Sequence, residues 1–268
     1  VSLWLNAMYP GLKAPWFGLQ LRQGNSLIGC RRATWTVDQL AKKPWKETNK
    51  TKVLPPTDRP LDTPLATNEV HHFLLPGHGW AAVAGRKEAK ELREAETAAL
   101  KEWRNTILKA PSANDAKRLT QLATAVEELW KLAAARIDAT QQQLRRPIDV
   151  YGTEPATERT TISRDDADSA ILNPDSPLGR LRTVMNAWVG LWFWPLDTGT
   201  TPPTWNQWLH VIETLIRPDE THGLAGQLDI FADYQAMLDA DATRNDGHPT
   251  LQDLRTEHPW LAVALDAA

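Results

Sequence analysis

Residues 112–147 read SANDAKRLTQLATAVEELWKLAAARIDATQQQLRRP, and the spacing in that run decides the fold class. Leu119, Leu122, Val126, Leu129, Ala133 and Ile137 recur at intervals of three and four, which lines one face of an α-helix. Ser112 followed three residues later by Asp115 is a capping-box pattern, with Asp where Glu is commoner. At the other end Pro147 disfavours helical geometry in the residue before it, so the helix ends near Arg145-Arg146-Pro147. Upstream, Arg86–Lys109 reads as a helix with Leu92, Ala99, Trp103 and Ile107 on one face, broken at Ala110-Pro111-Ser112. The short connection predicts an antiparallel helical hairpin over 86–147.

Downstream, residues 148–177 are polar and irregular, and 178–268 read as a helical segment. Leu178–Trp192 carries Leu181, Val184, Met185, Trp188, Leu191 and Trp192 inward. Thr204–Ile216 opens with Thr204 and Gln207 as a capping box and buries Trp208, Leu209, Ile212 and Leu215. A third helix is expected over Gly223–Asp239. Towards the N-terminus, residues 41–85 contain Pro44, Pro55, Pro56, Pro60, Pro64 and Pro76 with little periodicity, a Pro-rich linker or draped loop. Residues 1–40 hold a helix end (Val1–Met8), a short strand (Trp16–Leu21) and a Gly24-Asn25-Ser26-Leu27 turn. No convincing strand follows residue 40, so the chain is mainly α.

With 268 residues, 42% hydrophobic and 24% charged, the composition is that of a globular chain of one or two domains. A single cysteine, Cys30, excludes an internal disulfide framework and a four-cysteine zinc site. Thirteen Trp stand against four Phe and three Tyr, so tryptophan supplies most of the large apolar area, each with an N–H that needs a partner when buried. Core packing is the plain reading of that excess. The net charge of −3 conceals a gradient: residues 1–60 carry ten Lys/Arg against three Asp/Glu, and 147–268 carry seven against nineteen. The first has the sign of a phosphate-contacting surface, while the last would repel DNA. The longest apolar runs are too short for a bilayer, and Val1–Leu12 lacks the features of a secretory signal, which makes the cytoplasm the default compartment.

Local catalytic signatures are missing. His71, His72 and His78 fall within eight residues, but no carboxylate or cysteine sits beside them at a recognised ligand spacing, which favours structural histidines over a metal site. Cys30 reads as a small buried thiol rather than a nucleophile. Neither a phosphate loop nor a serine elbow is present.

Three runs of text carry more. Leu3-Trp4-Leu5-Asn6, Pro10-Gly11-Leu12-Lys13-Ala14-Pro15-Trp16-Phe17-Gly18-Leu19 and Leu21-Arg22-Gln23-Gly24-Asn25-Ser26-Leu27-Ile28-Gly29 resemble the large adenine-N6 DNA methyltransferases of restriction-modification and phage-defence (DISARM-like) systems. Val70-His71-His72-Phe73-Leu74-Leu75-Pro76, Val126-Glu127-Glu128-Leu129-Trp130, Arg145-Arg146-Pro147-Ile148-Asp149 and Arg180–Pro195 are similar to that family's helical insert. The likeness is most specific over 1–32 and 178–196. It implies a small N-terminal fragment of an α/β Rossmann-like core, followed by the insert. It also implies S-adenosylmethionine as cofactor, with Asn25 bonding the exocyclic amine of its adenine and Ser26 and Leu27 beside it. Gly24-Asn25 is equally a pair that tight turns favour, so both readings of the turn stand.

The chain departs from the family's pattern where the chemistry is done. The Gly-rich loop for S-adenosylmethionine and the acidic residue for its ribose are not in the sequence. The Asn-Pro-Pro-aromatic tetrapeptide that grips a flipped adenine is also missing: Asn173-Pro174-Asp175 and Thr201-Pro202-Pro203-Thr204 are each incomplete. The expectation is therefore an internal piece, a fragment or split subunit, inactive alone, whose partners are the remaining upstream and downstream segments and DNA. The second reading is a non-catalytic helical module for DNA or protein. For either, Arg31, Arg32, Lys42 and Lys43 are the candidate nucleic-acid contacts, interleaved with Trp35 and Trp45; a solvated basic loop is the alternative for them.

Overall fold

A computed structural model describes residues 13–14, 29–46, 52–60, 62–144, 146–147, 164–217 and 247–268. The architecture is mainly helical. The elements are β1 (Lys13–Ala14), β2 (Ala33–Thr36), α1 (Val37–Leu40), β3 (Thr57–Asp58), β4 (Glu69–His71), α2 (Lys87–Leu92), α3 (Glu94–Ile107), α4 (Ala113–Leu144), β5 (Arg146–Pro147), α5 (Arg164–Leu172), α6 (Pro177–Gly190), α7 (Trp205–Ile216), α8 (Leu251–Glu257) and α9 (Pro259–Ala267), with 3-10 turns at His72–Leu74, Ala82–Gly85 and Leu191–Phe193. The expected helices at 1–8 and 223–239, the strand at 16–21 and the turn at 24–27 lie outside the described residues.

The longest helix forms where its period places it. Leu119, Leu122, Val126, Leu129 and Ala133 of α4 are buried. Its start is the expected box: Asp115 N–H donates to Ser112 Oγ (3.1 Å), and Ser112 N–H to Asp115 Oδ2 (3.0 Å). The same holds at α7, where Thr204 and Gln207 cap reciprocally. The helix expected over 86–109 is two pieces, interrupted at Arg93 (φ −145°, ψ 70°). That break rotates the apolar face: Ile107 is buried as expected, but Leu92 is 81% exposed, Ala99 is exposed, and Thr97 and Leu100 are buried instead. The α3–α4 connection is short, but α4 packs on α6, α7 and β4 while α3 packs on α2 and the 82–85 turn. Residues 164–172, read as irregular, form α5. The peptide there is too short and polar for periodicity to stand out.

Strands also form beyond residue 40. β3, β2 and β4 make an antiparallel sheet in that order, with Thr34 opposite His71 and Trp35 opposite Val70. Two- and three-residue strands carry no readable alternation. The described residues of 41–85 are mostly turns and irregular backbone, yet they supply Trp45, Val70, Phe73, Leu74, Leu75 and Trp80 to the core, each with no exposed surface.

At the centre lies α6, against α4, α5, α7 and α9. Ser176 Oγ accepts from Gly179 N–H (3.0 Å) and Pro177 fills the first turn, where its missing N–H costs nothing. From α6, the buried Arg180 donates to the carbonyls of Leu215 (2.7 Å) and Ile216, covering the free C-terminal carbonyls of α7. Close approach of α6 and α9 depends on Gly190, because a Cβ there would lie 1.7 Å from the Ala264 carbonyl oxygen. That atom is backbone and has no rotamer to escape into. Gly190→Ala is expected to cost roughly 3 kcal/mol by overpacking, seen as a lower thermal midpoint. Unchanged stability would show that α9 does not dock against that turn of α6.

Candidate functional site

A cleft of about 340 Å³ opens between the N-terminal sheet and the end of α6, at the small end of the ligand-cavity range. Trp35 of β2, Trp188 of α6, and Trp192 and Phe193 of the following 3-10 turn form its walls, with His72, His78 and Arg31 as its polar groups. The aromatic rings run in sequence from Trp45 through Trp35, His72 and Trp188 to Trp192 and His78, with neighbouring centroids 4.9–6.4 Å apart and mostly edge to face. That geometry is the preferred one for quadrupolar rings.

Most polar atoms in the wall are already bonded. Trp35 Nε1–H donates to the Leu54 carbonyl (3.1 Å), Trp188 Nε1–H to that of Leu75 (2.7 Å), and His72 Nε2 lies 3.0 Å from the Arg31 carbonyl. These bonds fix the three rings, each of which is buried, so the aromatic surface open to a ligand is chiefly that of Trp192 and Phe193. Trp192 lies on the backbone of Gly77-His78-Gly79: a Cβ at Gly79 would sit 2.3 Å from its ring, and one at Gly77 2.8 Å from Nε1. Phe193, 49% exposed, forms the lip. Arg31 is exposed and, among the described residues, pairs with the exposed Asp58 (2.7 Å), an interaction worth little in water and open to competition by another anion.

Burial pushes the His72 ring down to about 4, so it is neutral at pH 7. Burial also pushes the Cys30 thiol up, and its Sγ lies 3.6 Å from the Met185 carbonyl oxygen. Neither group is poised as a base or a nucleophile. Among the described residues, the cleft can bind a flat, apolar ligand by stacking and steer an anion with Arg31.

Behind the sheet lies a second polar cluster. Adjacent residues of an extended chain point to opposite faces; Arg31 turns outward and Arg32 turns in. All five Arg32 donors are used: Nε and Nη2 on Glu127, Nη2 also on the Thr63 carbonyl, and Nη1 on those of Arg59 and Pro60. This corrects the expectation of Arg32 as a nucleic-acid contact. An inward guanidinium with every N–H occupied has nothing to offer a phosphate. His71 Nε2 stands 3.0 Å from Glu127 Oε1, and its ring stacks on Phe73 (5.3 Å). Burial alone would raise the Glu127 carboxyl, but the close His71 ring and the hydrogen bonds from Arg32 outweigh it and hold the group at about 2. Burial lowers His71, with the neighbouring carboxylate offsetting part of the effect.

The sequence-derived site residues thus divide. Arg31 reaches the cleft mouth and Arg32 is internal. Lys42 is exposed after α1, and the neighbouring Lys43 takes a left-handed backbone (φ 53°). Asn25, Ser26 and Leu27 lie outside the described residues. His71, His72 and His78 do not converge: they turn to Glu127, to the Arg31 backbone and to Trp192. The role of Glu127 was hidden in the sequence, since a carboxylate beside the apolar face of a helix looks like any edge residue. The cleft also brings Gly29 and Arg31, near the N-terminal end of the described chain, against Trp188, Val189, Trp192 and Phe193.

Comparison with protein-family models, curated proteins and solved structures returned no match. No helix among the described residues is long and apolar enough to cross a membrane.

Removing one partner of the buried Arg32–Glu127 pair leaves the other charge without compensation. Glu127→Ala is expected to lower unfolding free energy in urea by about 3–5 kcal/mol; a loss below about 1 kcal/mol would mean that Arg32 finds water. A pH effect is also expected. The unfolded chain protonates His72 first as pH falls, so stability should decline between about pH 6.5 and 4, by about 3 kcal/mol at most, with His71 acting in the same direction. The Glu127 contribution is lost only below about pH 4.5, towards 2. His72→Gln should flatten the upper window, and an unchanged pH–stability curve in that variant would refute the assignment.

Proposed function

We propose that this chain is the helical, substrate-side portion of a SAM-dependent adenine-N6 DNA methyltransferase of the restriction-modification or phage-defence type, and that it transfers no methyl group alone. The observation that carries this reading is the convergence on one cleft of Gly29 and Arg31 with Trp188, Val189, Trp192 and Phe193. They fall within the two stretches, 1–32 and 178–196, whose text most resembles that family. The lining suits the ligand chemistry: aromatic faces stack on a planar heterocycle whatever its hydrogen-bonding edge, and an exposed arginine at the mouth suits the phosphate attached to it. In this reading residues 1–40 belong to a Rossmann-like core, Asn25, Ser26 and Leu27 contribute one strip of the S-adenosylmethionine pocket, and DNA and the rest of the methyltransferase are the partners. The tetrapeptide and Gly-rich loop that grip the base and the cofactor are missing from the sequence, so the chain's own part is binding and positioning.

Intrinsic tryptophan fluorescence tests the cleft. Adenosine, S-adenosylmethionine and a single-stranded adenine-containing oligonucleotide are titrated separately, which distinguishes target base from cofactor. At least one should quench saturably, and Trp192→Ala should weaken that quenching about tenfold, equivalent to roughly 1.4 kcal/mol of one stacking contact. Absence of saturable quenching by all three would remove the cleft from the proposal. Robust methyl transfer from labelled S-adenosylmethionine to DNA by the isolated chain would overturn the assignment of the chemistry to other segments.

A further inference from the structure

The α8–α9 junction faces α7 across a cluster of three metal-ligating side chains. His210 lies on the outer face of α7 and is exposed, with Trp208, Leu209, Val211 and Ile212 buried around it. Glu257 is the last residue of α8, also exposed, and His258 follows it. The His258 backbone is held twice. Its N–H donates to the Leu254 carbonyl (2.9 Å), closing α8, and its own carbonyl accepts from Leu261 N–H (2.8 Å), opening α9. Pro259 prevents the two helices from fusing, because the residue before a proline avoids helical geometry. Docking of α9 then aims the side chain: Trp260 meets Trp208 at 6.0 Å, Leu261 and Ala264 are buried, and the His258 ring arrives 5.7 Å from that of His210.

One ligand atom from each of His210, Glu257 and His258 falls within 4.8 Å of the others, the one such group of three among the described residues. His258 is only 9% exposed, and its Nε2 is buried with no hydrogen-bond partner. Other buried ring nitrogens also lack a partner, but among the described residues this is the one that lies in a group of three metal-ligating side chains. The nearest carboxylate oxygen, Glu257 Oε1, stands 3.9 Å away, too far for a hydrogen bond. Two ligands on a tetrahedral zinc ion, with bonds near 2.0–2.1 Å, sit about 3.3 Å apart, so the gap is close to the one an ion spans. His210 and Glu257 are exposed and have the rotamer freedom to close it.

We propose that His210, Glu257 and His258 bind a divalent transition-metal ion of the zinc kind, fastening α7 to the α8–α9 junction and leaving a fourth position open to water. Two imidazoles and one carboxylate are borderline donors that suit such ions; calcium and magnesium prefer all-oxygen sets. The site is separate from the aromatic cleft and does not rest on the function proposed above.

The test is calorimetric titration of zinc chloride into the full chain after removal of metal with EDTA. One saturable equivalent is expected, weakened at least about tenfold by His210→Ala or by Glu257→Gln and unchanged by His78→Ala. His210 and Glu257 are exposed, so these variants keep the fold, which far-ultraviolet circular dichroism checks. Cobalt(II) in place of zinc should give visible d–d absorption that His210→Ala abolishes. Binding that is undetectable, or equal in the wild type and His210→Ala, would overturn the proposal.

Discussion

The structure depends on a mutual need between tryptophan and irregular backbone. An indole N–H buried in an apolar core requires an acceptor, and a loop buried in the same core has carbonyls with no ladder to join. Here several indoles and the irregular backbone supply each other. Trp188 Nε1–H donates to Leu75 O (2.7 Å), Trp208 Nε1–H to Leu74 O (3.0 Å), and Trp80 Nε1–H, from the same loop, to Trp188 O (3.0 Å). Trp103 does the same with Pro203 O (2.7 Å). These bonds join residues 100 or more apart in sequence. Each is worth only about 1 kcal/mol net, but leaving either side unpaired in the core would cost more. Phenylalanine in these places would fill the volume and strand the carbonyls.

The same logic in charged form fixes the sheet to α4. Glu127 presents a carboxylate to Arg32, and the guanidinium then collects the free carbonyls of Arg59, Pro60 and Thr63. A lysine could not reach as many partners, because only the planar fork of arginine offers five donors. One consequence is that the basic run near the N-terminus is not a uniform surface. Its exposed members lie in solvent or at the cleft mouth, and one member is internal.

The cleft follows from both devices. Trp35 and Trp188 are held by their N–H bonds, the sheet is held by Arg32 and Glu127, and Gly77 and Gly79 let the Trp192 indole lie flat on the backbone. The walls are therefore set in place before any ligand arrives, which lowers the ordering cost of binding. The chemistry they offer is stacking.

Periodicity and capping chemistry, read without coordinates, determined α4, α6 and α7 and their buried faces, because a helix is stabilised by residues three and four apart. The boxes at Ser112/Asp115 and Thr204/Gln207 are local for the same reason. Tertiary structure alone decided what those faces meet. A break at Arg93 left Leu92 in solvent, most of residues 70–80 became core, Arg31 and Arg32 parted to opposite sides, and Gly29 and Arg31 came to line one cleft with Trp188 and Trp192. Each outcome rests on contacts between residues distant in the chain, and no short-range pattern specifies which distant partner will satisfy a given N–H, carbonyl or charge.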